Sequence, residues 1–213
     1  AMVGDESRYY GFAQNLLNGF YSPPAPSINL WNGPGYPIFL VPFVYFKAPL
    51  IAITLSNAVF HYLSIVLLFL TLKKYVSFKE NMLLSLLLAL YYISYPPMQF
   101  IATETFSMFL ISAFMLSISK VVDEGRARHV CLAGLIFGLI VLTKIIFGYV
   151  LMILLAVSLI GSVVSRFREK RVFSVFLIAM LLNIPYLCYT YSITSKVFYW
   201  GNSGGTCLYW MST

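Results

Sequence analysis

The chain contains few charged residues and very few acids. Only 10% of its 213 residues are charged, with 7 Asp and Glu against 14 Lys and Arg, while 60% are hydrophobic. The mean hydropathy is +0.84. A soluble domain of this size cannot bury that much apolar surface, so lipid has to solvate a large part of it. The shortage of charge excludes a soluble globular enzyme and predicts an integral, multi-pass membrane protein.

Cysteine is also scarce. Cys131 and Cys188 fall inside apolar runs, and with Cys207 they make an odd number that supports neither a disulfide framework nor a metal quartet. The sequence contains no P-loop and no nucleophile elbow. The net charge of +7 is spread over short clusters between apolar runs. This pattern is typical of membrane topology, so we expect no nucleic-acid partner.

Apolar runs and polar breaks divide the chain into three parts. Residues 1–48 predict an interfacial loop with amphipathic helices, residues 50–192 predict six transmembrane helices, and residues 193–213 begin another loop. The expected spans are about 50–72, 81–95, 98–119, 130–146, 149–165 and 172–192. The predicted fold class is all-α: a polytopic transmembrane helix bundle with an extracytoplasmic interfacial loop.

The longest polar segment comes first, from Gly4 to Pro37. Asp5 is predicted to cap a first helix by accepting a hydrogen bond from its first-turn amides. Gly19 is predicted to end this helix, and Pro37 to occupy the first position of the next. Apolar residues recur at helical spacing at Tyr9, Phe12, Ala13, Leu16, Leu17 and Phe20. A short helix of this kind is expected to lie in the membrane interface.

The basic residues divide unequally between the two sides of the predicted bundle. One side carries Lys73, Lys74, Lys79, Lys120, Arg126, Arg128, Arg166, Arg168, Lys170 and Arg171, and the other carries Arg8, Lys47, Lys144 and Lys196. The positive-inside rule places the larger set in the cytoplasm. The opening segment, the Pro96-Pro97 turn, Lys144 and the loop 203–205 are therefore expected to share the extracytoplasmic side.

Three acids are candidates for chemistry. Asp5 and Glu6 suit an acid–base or metal-binding pair, or alternatively a helix cap and a carboxylate that stabilises the helix dipole. Glu104 is expected about seven residues past the Pro96-Pro97 turn, near 10 Å along a helix. An ionisable group at that depth indicates a functional site. The alternative is an acid at the start of a helix that reaches water.

Other polar residues have two interpretations each. Lys144 is a candidate ligand for a lipid phosphate, or a lysine that snorkels to the interface. Ser203, Gly204 and Gly205 are candidates for an anion-binding nest of backbone amides, or an ordinary loop. His61 is predicted to be a buried imidazole in the middle of a span. Asn183, close before Pro185, is predicted to hydrogen-bond at a kink between helices.

The order of these features resembles the GT-C superfamily of membrane glycosyltransferases, in particular the group that includes aminoarabinose transferases of lipid A and protein O-mannosyltransferases. The similar elements are Asp5-x-x-x-Tyr9-x-x-x-Ala13, Gly19, Pro34 to Pro37, Ala102-Thr103-Glu104, Gly134-x-x-x-Gly138-x-x-x-Leu142-Thr143-Lys144, and Gly204 to Tyr209. No single element is specific, but their order and their common side are. The resemblance covers essentially the whole chain.

The resemblance implies sugar transfer from a polyprenyl-phosphate donor, at the extracytoplasmic face of a bacterial plasma membrane, to a lipid, glycan or protein acceptor. Asp5 and Glu104 would be the catalytic acids and Glu6 an accessory acid. Lys144 with Ser203, Gly204 and Gly205 would hold the donor phosphate. Either Asp5 is a general base or it shares a divalent metal ion with Glu104, and this choice stays open.

The resemblance also implies that the chain is part of a longer protein. The family has one transmembrane helix before the acidic segment and further helices after the last loop. We therefore expect membrane lipid and the remainder of the same polypeptide to be partners, and the piece to be inactive alone. An alternative function is a transporter or flippase core whose path is lined by Glu104, Lys144 and His61. A purely structural subunit would not need Glu104.

Overall fold

The computed structural model describes residues 4–91, 96–164 and 170–201. Within those ranges the chain forms helices and no strand, which confirms the all-α prediction. The helices are α1 (Asp5–Leu17), α2 (Gly35–Tyr45), α3 (Leu50–Leu72), α4 (Phe78–Ala89), α5 (Glu104–Glu124), α6 (Ala127–Thr143), α7 (Ile146–Val164) and α8 (Lys170–Thr194). A 3-10 helix at Pro96–Gln99 precedes α5.

Four helices are long and apolar enough to cross a membrane: α3, α5, α7 and α8. Helix α6 is apolar but has 17 residues, which is the lower limit for a span. Helix α4 has 12 residues and is about 18 Å long, well short of a ~30 Å hydrocarbon core. The prediction of a span over 81–95 is therefore wrong in extent, because the described helix begins and ends earlier. The protein is an integral membrane protein with a helical bundle.

The first helix begins differently from the prediction. Gly4 is the capping residue, with φ of 62°, and no side chain caps the helix. The Asp5 carboxylate instead accepts a hydrogen bond from Arg8, so the predicted cap is wrong. Gly19 has φ of 85° directly after the helix end, which agrees with its predicted role as terminator.

The turn before α2 packs on the C-terminal end of α6. A Cβ atom at Gly33 would overlap the Leu142 carbonyl, and one at Gly35 would come within 2.5 Å of Thr143 Oγ1. Glycine is therefore required for this close approach. Helix α2 begins at Gly35, so Pro37 is its third residue rather than its first. The turn consequently lies beside the residue that follows α6, Lys144.

Helices α6 and α8 pack closely through small residues. A Cβ atom at Gly134 would lie 2.8 Å from the Val175 carbonyl oxygen of α8. One turn further along, the buried Asn183 donates hydrogen bonds to the carbonyls of Gly138 at 3.2 Å and Ala179 at 2.8 Å. The prediction that Asn183 joins helices by hydrogen bonding is confirmed.

The two ends of the bundle carry different polar groups. At the end where α3 finishes, Lys74 pairs with Asp123 at the last turn of α5, and Tyr75 bonds to Ser119 at 2.8 Å. We call this the Lys74 end. Because α5 runs the length of the bundle, its first residue, Glu104, lies at the opposite end, which we call the Glu104 end.

Candidate active site

The N-terminus of α1 is attached to the segment that leads into α5. The Glu6 carboxylate accepts a hydrogen bond from the backbone N–H of Ile101 at 3.0 Å, across 95 residues of sequence. This bond holds the first turn of α1 at the Glu104 end. The convergence of Asp5 and Glu6 with the start of α5 was predicted from the alternation of loops, and the Glu6 contact supports it.

Glu104 is the first residue of α5, and Lys144 directly follows the last residue of α6. The Lys144 ammonium donates a hydrogen bond to Glu104 Oε1 at 3.1 Å. The two side chains are 49% and 35% exposed, Glu104 being the more exposed. A negative charge at a helix N-terminus is also stabilised by the helix dipole. The pair is therefore a half-exposed ion pair that joins two helices.

This position corrects the predicted depth of Glu104. The sequence predicted a helix starting at residue 98 that would carry the acid about 10 Å into the bundle. Residues 100–103 are not helical in the structure, so Glu104 lies at the helix start. The alternative interpretation, an acid at a helix N-terminus that reaches water, is the one observed.

Asp5 is the most exposed of the three acids. Its carboxylate Oδ1 accepts a hydrogen bond from Arg8 Nη2 at 2.8 Å, and its side chain is 63% exposed. The Arg8 guanidinium also lies 5.6 Å from the Trp31 ring centroid and makes a long hydrogen bond of 3.5 Å to Asn32. Arg8 thus orients Asp5 and connects α1 to the segment before α2. One carboxylate oxygen of Asp5 takes part in this pair.

The Tyr9 hydroxyl lies in the electrostatic field of both predicted catalytic acids. The Tyr9 side chain is buried, and its hydroxyl accepts a hydrogen bond from the Asn32 amide at 2.9 Å. Burial raises the pKa of Tyr9 to about 12, and the negative charges of Glu104 and Asp5 act in the same direction. Tyr9 is therefore neutral at physiological pH, and its phenol is held within the electrostatic influence of both acids.

A second buried tyrosine packs on the first. The rings of Tyr9 and Tyr36 meet edge to face with their centroids 5.3 Å apart. Burial raises the pKa of Tyr36, and the charges of Glu104 and Glu6 add to that effect. Sequence reasoning did not assign Tyr36 a part in the site by itself. Its position directly after the Gly33-Pro34-Gly35 turn was the available signal.

The end of α8 fixes the opening segment from the other side. The Tyr189 hydroxyl accepts hydrogen bonds from the backbone N–H groups of Tyr21 at 3.3 Å and Ser22 at 2.9 Å. The Tyr186 hydroxyl donates to the Trp200 carbonyl at 2.9 Å. The chain after α8 therefore begins at the Glu104 end.

Two further predictions have different outcomes. Ser203, Gly204 and Gly205 lie outside the described residues. His61 is buried at the midpoint of α3, as predicted.

The three acids do not fit a preformed metal site. Among residues 4–91, 96–164 and 170–201, no group of three or more His, Cys, Asp and Glu side chains could hold a metal ion. Asp5 pairs with Arg8, Glu6 accepts from a backbone amide, and Glu104 pairs with Lys144.

The arrangement suits proton and anion chemistry at the edge of a bundle. Asp5 offers an exposed carboxylate that can accept a proton. Lys144 offers a cation, fixed by Glu104, that can stabilise a negative charge. Tyr9 and Tyr36 are buried and neutral, so they add no charge to this arrangement.

The comparisons with known proteins point to one family. A family model described as dolichyl-phosphate-mannose-protein mannosyltransferase matches residues 39–189, well over half of the chain. The matched region contains Glu104 and Lys144 and ends near the C-terminal part of α8, whereas Asp5 and Glu6 precede it. No curated protein and no solved structure matches the chain.

Proposed function

Because the chain belongs to the dolichyl-phosphate-mannose-protein mannosyltransferase family, we propose that it transfers a mannose-type sugar from a polyprenyl-phosphate donor. Membership of this family shows that the protein is a membrane glycosyltransferase of the mannosyltransferase type. The proposal adds the donor, the residues that act on it and the side of the membrane. The acceptor is a hydroxyl-bearing lipid, glycan or protein.

The observation that carries the proposal is the pair of Lys144 and Glu104. An ammonium beside the membrane boundary suits the phosphate of a lipid-linked sugar, and Glu104 keeps it in place at 3.1 Å. When the bond between the anomeric carbon and the phosphate oxygen breaks, negative charge grows on the phosphate. Lys144 stabilises that charge in the transition state.

Asp5 takes the proton in the same step. The acceptor oxygen forms a bond to the anomeric carbon, its proton moves to the Asp5 carboxylate, and the polyprenyl phosphate leaves with the bonding electron pair. Atoms and charge balance without a further reactant. The exposure of Asp5 favours this role because an acceptor from outside the bundle has to reach it.

The proposed side is the extracytoplasmic face of a bacterial plasma membrane. Lys73, Lys74, Lys79, Lys120 and Lys170 lie at the Lys74 end or on the helix segments that lead to it. This distribution supports placing the Lys74 end in the cytoplasm by the positive-inside rule. The Glu104 end then faces outward, where the acceptor is met.

The test is sugar transfer by the complete protein, in membranes supplied with polyprenyl-phosphate mannose and an acceptor mixture. Asp5→Asn removes the basicity but keeps the size, so transfer is expected to fall about 10²–10⁴-fold. Asp123→Asn is the matched control, because Asp123 also pairs with a cation but at the Lys74 end. Transfer by this control is expected to stay within a factor of two.

Two results would contradict the proposal. Equal transfer by Asp5→Asn and Asp123→Asn would mean that Asp5 is no general base. A protein that moves a lipid-linked sugar across the membrane without transferring it, and that Glu104→Gln blocks, would be a transporter instead.

A further inference from the structure

A groove between α3 and α4 lies away from the candidate active site. Its volume is about 310 Å³, and it is lined by apolar side chains that include Ile65 and Phe69 of α3 and Met82 and Ala89 of α4. These residues belong to the half of α3 that ends at the Lys74 end, whereas the acids of the candidate site lie at the Glu104 end. The candidate active site therefore does not account for this groove.

Two lysines follow the groove lining toward the Lys74 end. Lys73 follows Phe69 by four residues at the end of α3, and Lys79 precedes Met82 by three residues in the first turn of α4. Side chains three and four residues apart lie on the same face of a helix. Each lysine therefore lies one turn beyond a residue that lines the groove, and both are exposed.

The nearby acids are engaged elsewhere. Asp123 pairs with Lys74. The Glu80 carboxylate accepts a hydrogen bond from the Ser77 backbone N–H at 2.8 Å as part of a capping box at the start of α4. In the part of the chain that the structure describes, neither Lys73 nor Lys79 forms an ion pair with a carboxylate.

From this juxtaposition of an apolar groove and two unneutralised lysines, we infer a binding site for one anionic phospholipid. An acyl chain occupies the groove between α3 and α4, and the headgroup phosphate lies between Lys73 and Lys79. The ligand needs an apolar chain and a negative charge at one end, and a phospholipid in the leaflet at the Lys74 end supplies both. The inference does not rest on the proposed sugar transfer.

The charges beside the groove decide between a lipid and a helix as its occupant. A helix would pack on the apolar lining and leave Lys73 and Lys79 unused, whereas a phospholipid uses both the groove of about 310 Å³ and the two lysines. Helix α3 is long and apolar enough to cross a membrane, so lipid is also the solvent that its outer face meets.

The first test compares two lipids that differ in headgroup charge. The complete protein is purified in mixed micelles with dioleoyl phosphatidylglycerol or dioleoyl phosphatidylcholine, and bound lipid is counted by native mass spectrometry. One phosphatidylglycerol is expected to remain bound where phosphatidylcholine is lost. Replacing Lys73 and Lys79 by Ala is expected to weaken retention roughly 30-fold, from about fivefold for each lysine near a charged surface.

A matched control separates a site from diffuse attraction. Lys120→Ala with Lys170→Ala removes the same charge from α5 and α8 at the Lys74 end, away from the groove. This double variant is expected to retain phosphatidylglycerol as wild type does. Equal loss in the two double variants, or equal retention of the two lipids by wild type, would overturn the inference.

A variant of the groove tests the acyl chain. Ala89→Phe fills the groove without changing charge, so retention of phosphatidylglycerol is expected to fall at least tenfold while the thermal midpoint in detergent stays close to that of wild type. Unchanged retention would overturn the inference. The same holds if glycerol 3-phosphate, which has no acyl chain, displaces the lipid at equal concentration. A large drop in the midpoint directs the test to Ala89→Leu, and full retention there contradicts the site.

Discussion

The Glu104–Lys144 pair allows the candidate site to be separated from the fold. The two side chains are 49% and 35% exposed, and the ion pair measures 3.1 Å. Pairs this exposed contribute about 0.2–1 kcal/mol to stability, because solvent screens the charges and two long side chains lose freedom. For a chain of this size that is a shift of about 0.4–4 °C in the unfolding midpoint. Glu104→Gln, Lys144→Met and the double variant should therefore fold almost normally.

Transfer activity should respond far more strongly. Lys144→Met is expected to lower kcat/KM about 10²–10³-fold, the usual cost of removing one group that stabilises developing negative charge. Glu104→Gln keeps the Lys144 ammonium but removes the charge that holds it in place, so the expected loss of kcat/KM is smaller. The double variant should be no worse than Lys144→Met alone, because Glu104 acts through Lys144.

The assay pairs thermal unfolding in detergent with transfer from polyprenyl-phosphate mannose. The matched control is the Lys74–Asp123 pair, whose side chains are 48% and 35% exposed at the opposite end of the bundle. Lys74→Met and Asp123→Asn should change the midpoint by the same few degrees and leave transfer intact. A shift above 10 °C in Lys144→Met with unchanged transfer per folded protein would refute the reasoning, because the pair would then be structural.

Three other predictions follow from the packing and the topology. Gly134→Ala should lower stability by about 1–3 kcal/mol, measured by thermal unfolding, because the new methyl group meets the backbone of α8. Gly161→Ala is the control, because nothing lies within 4 Å of the added Cβ, and it should leave the unfolding midpoint unchanged. Tyr9→Phe should cost about 0.5–1.5 kcal/mol in the same measurement, since the half-buried Asn32 amide loses its acceptor, and an unchanged midpoint would contradict the described bond. Single cysteines at Asn18 and Lys120 should react with an impermeant maleimide from opposite sides of the membrane, and labelling from one side would contradict the proposed topology.

The sequence predicted a helix well where residues at both of its ends mark where it starts and stops. The expected span 50–72 matches α3, because Pro49 precedes it and Lys73 follows it. The sequence also predicted the apolar face of α1, on which Tyr9, Phe12 and Ala13 are buried, and its end at Gly19, since both depend on local spacing. Asn183 was recognised because an amide in an apolar run has to find partners.

The predictions that failed depended on segments where apolar composition and backbone conformation disagree. The residues around Pro96 are apolar, so the hydropathy pattern extended α5 backwards through a segment that is a 3-10 helix and then irregular. Glu104 consequently was expected one to two turns too deep. Helix α4 was expected to run to residue 95 for the same reason, although its described part ends at Ala89.

The sequence alone could not predict which residues the site residues contact. The bond from Ile101 to Glu6 spans 95 residues, and the Glu104–Lys144 pair spans 40. Such contacts are set by how helices pack rather than by local spacing. The sequence indicated which residues share one end of the bundle, and the packing decides which of them touch.

The most direct test of the central claim is the position of the donor in the complete protein. A structure with a non-transferable polyprenyl-phosphate sugar bound should place the phosphate about 3 Å from the Lys144 ammonium, the usual length of a charge-assisted hydrogen bond. The anomeric carbon should face the Asp5 carboxylate. A phosphate bound elsewhere, with Lys144 still engaged only by Glu104, would contradict the assignment of the active site to the Glu104 end.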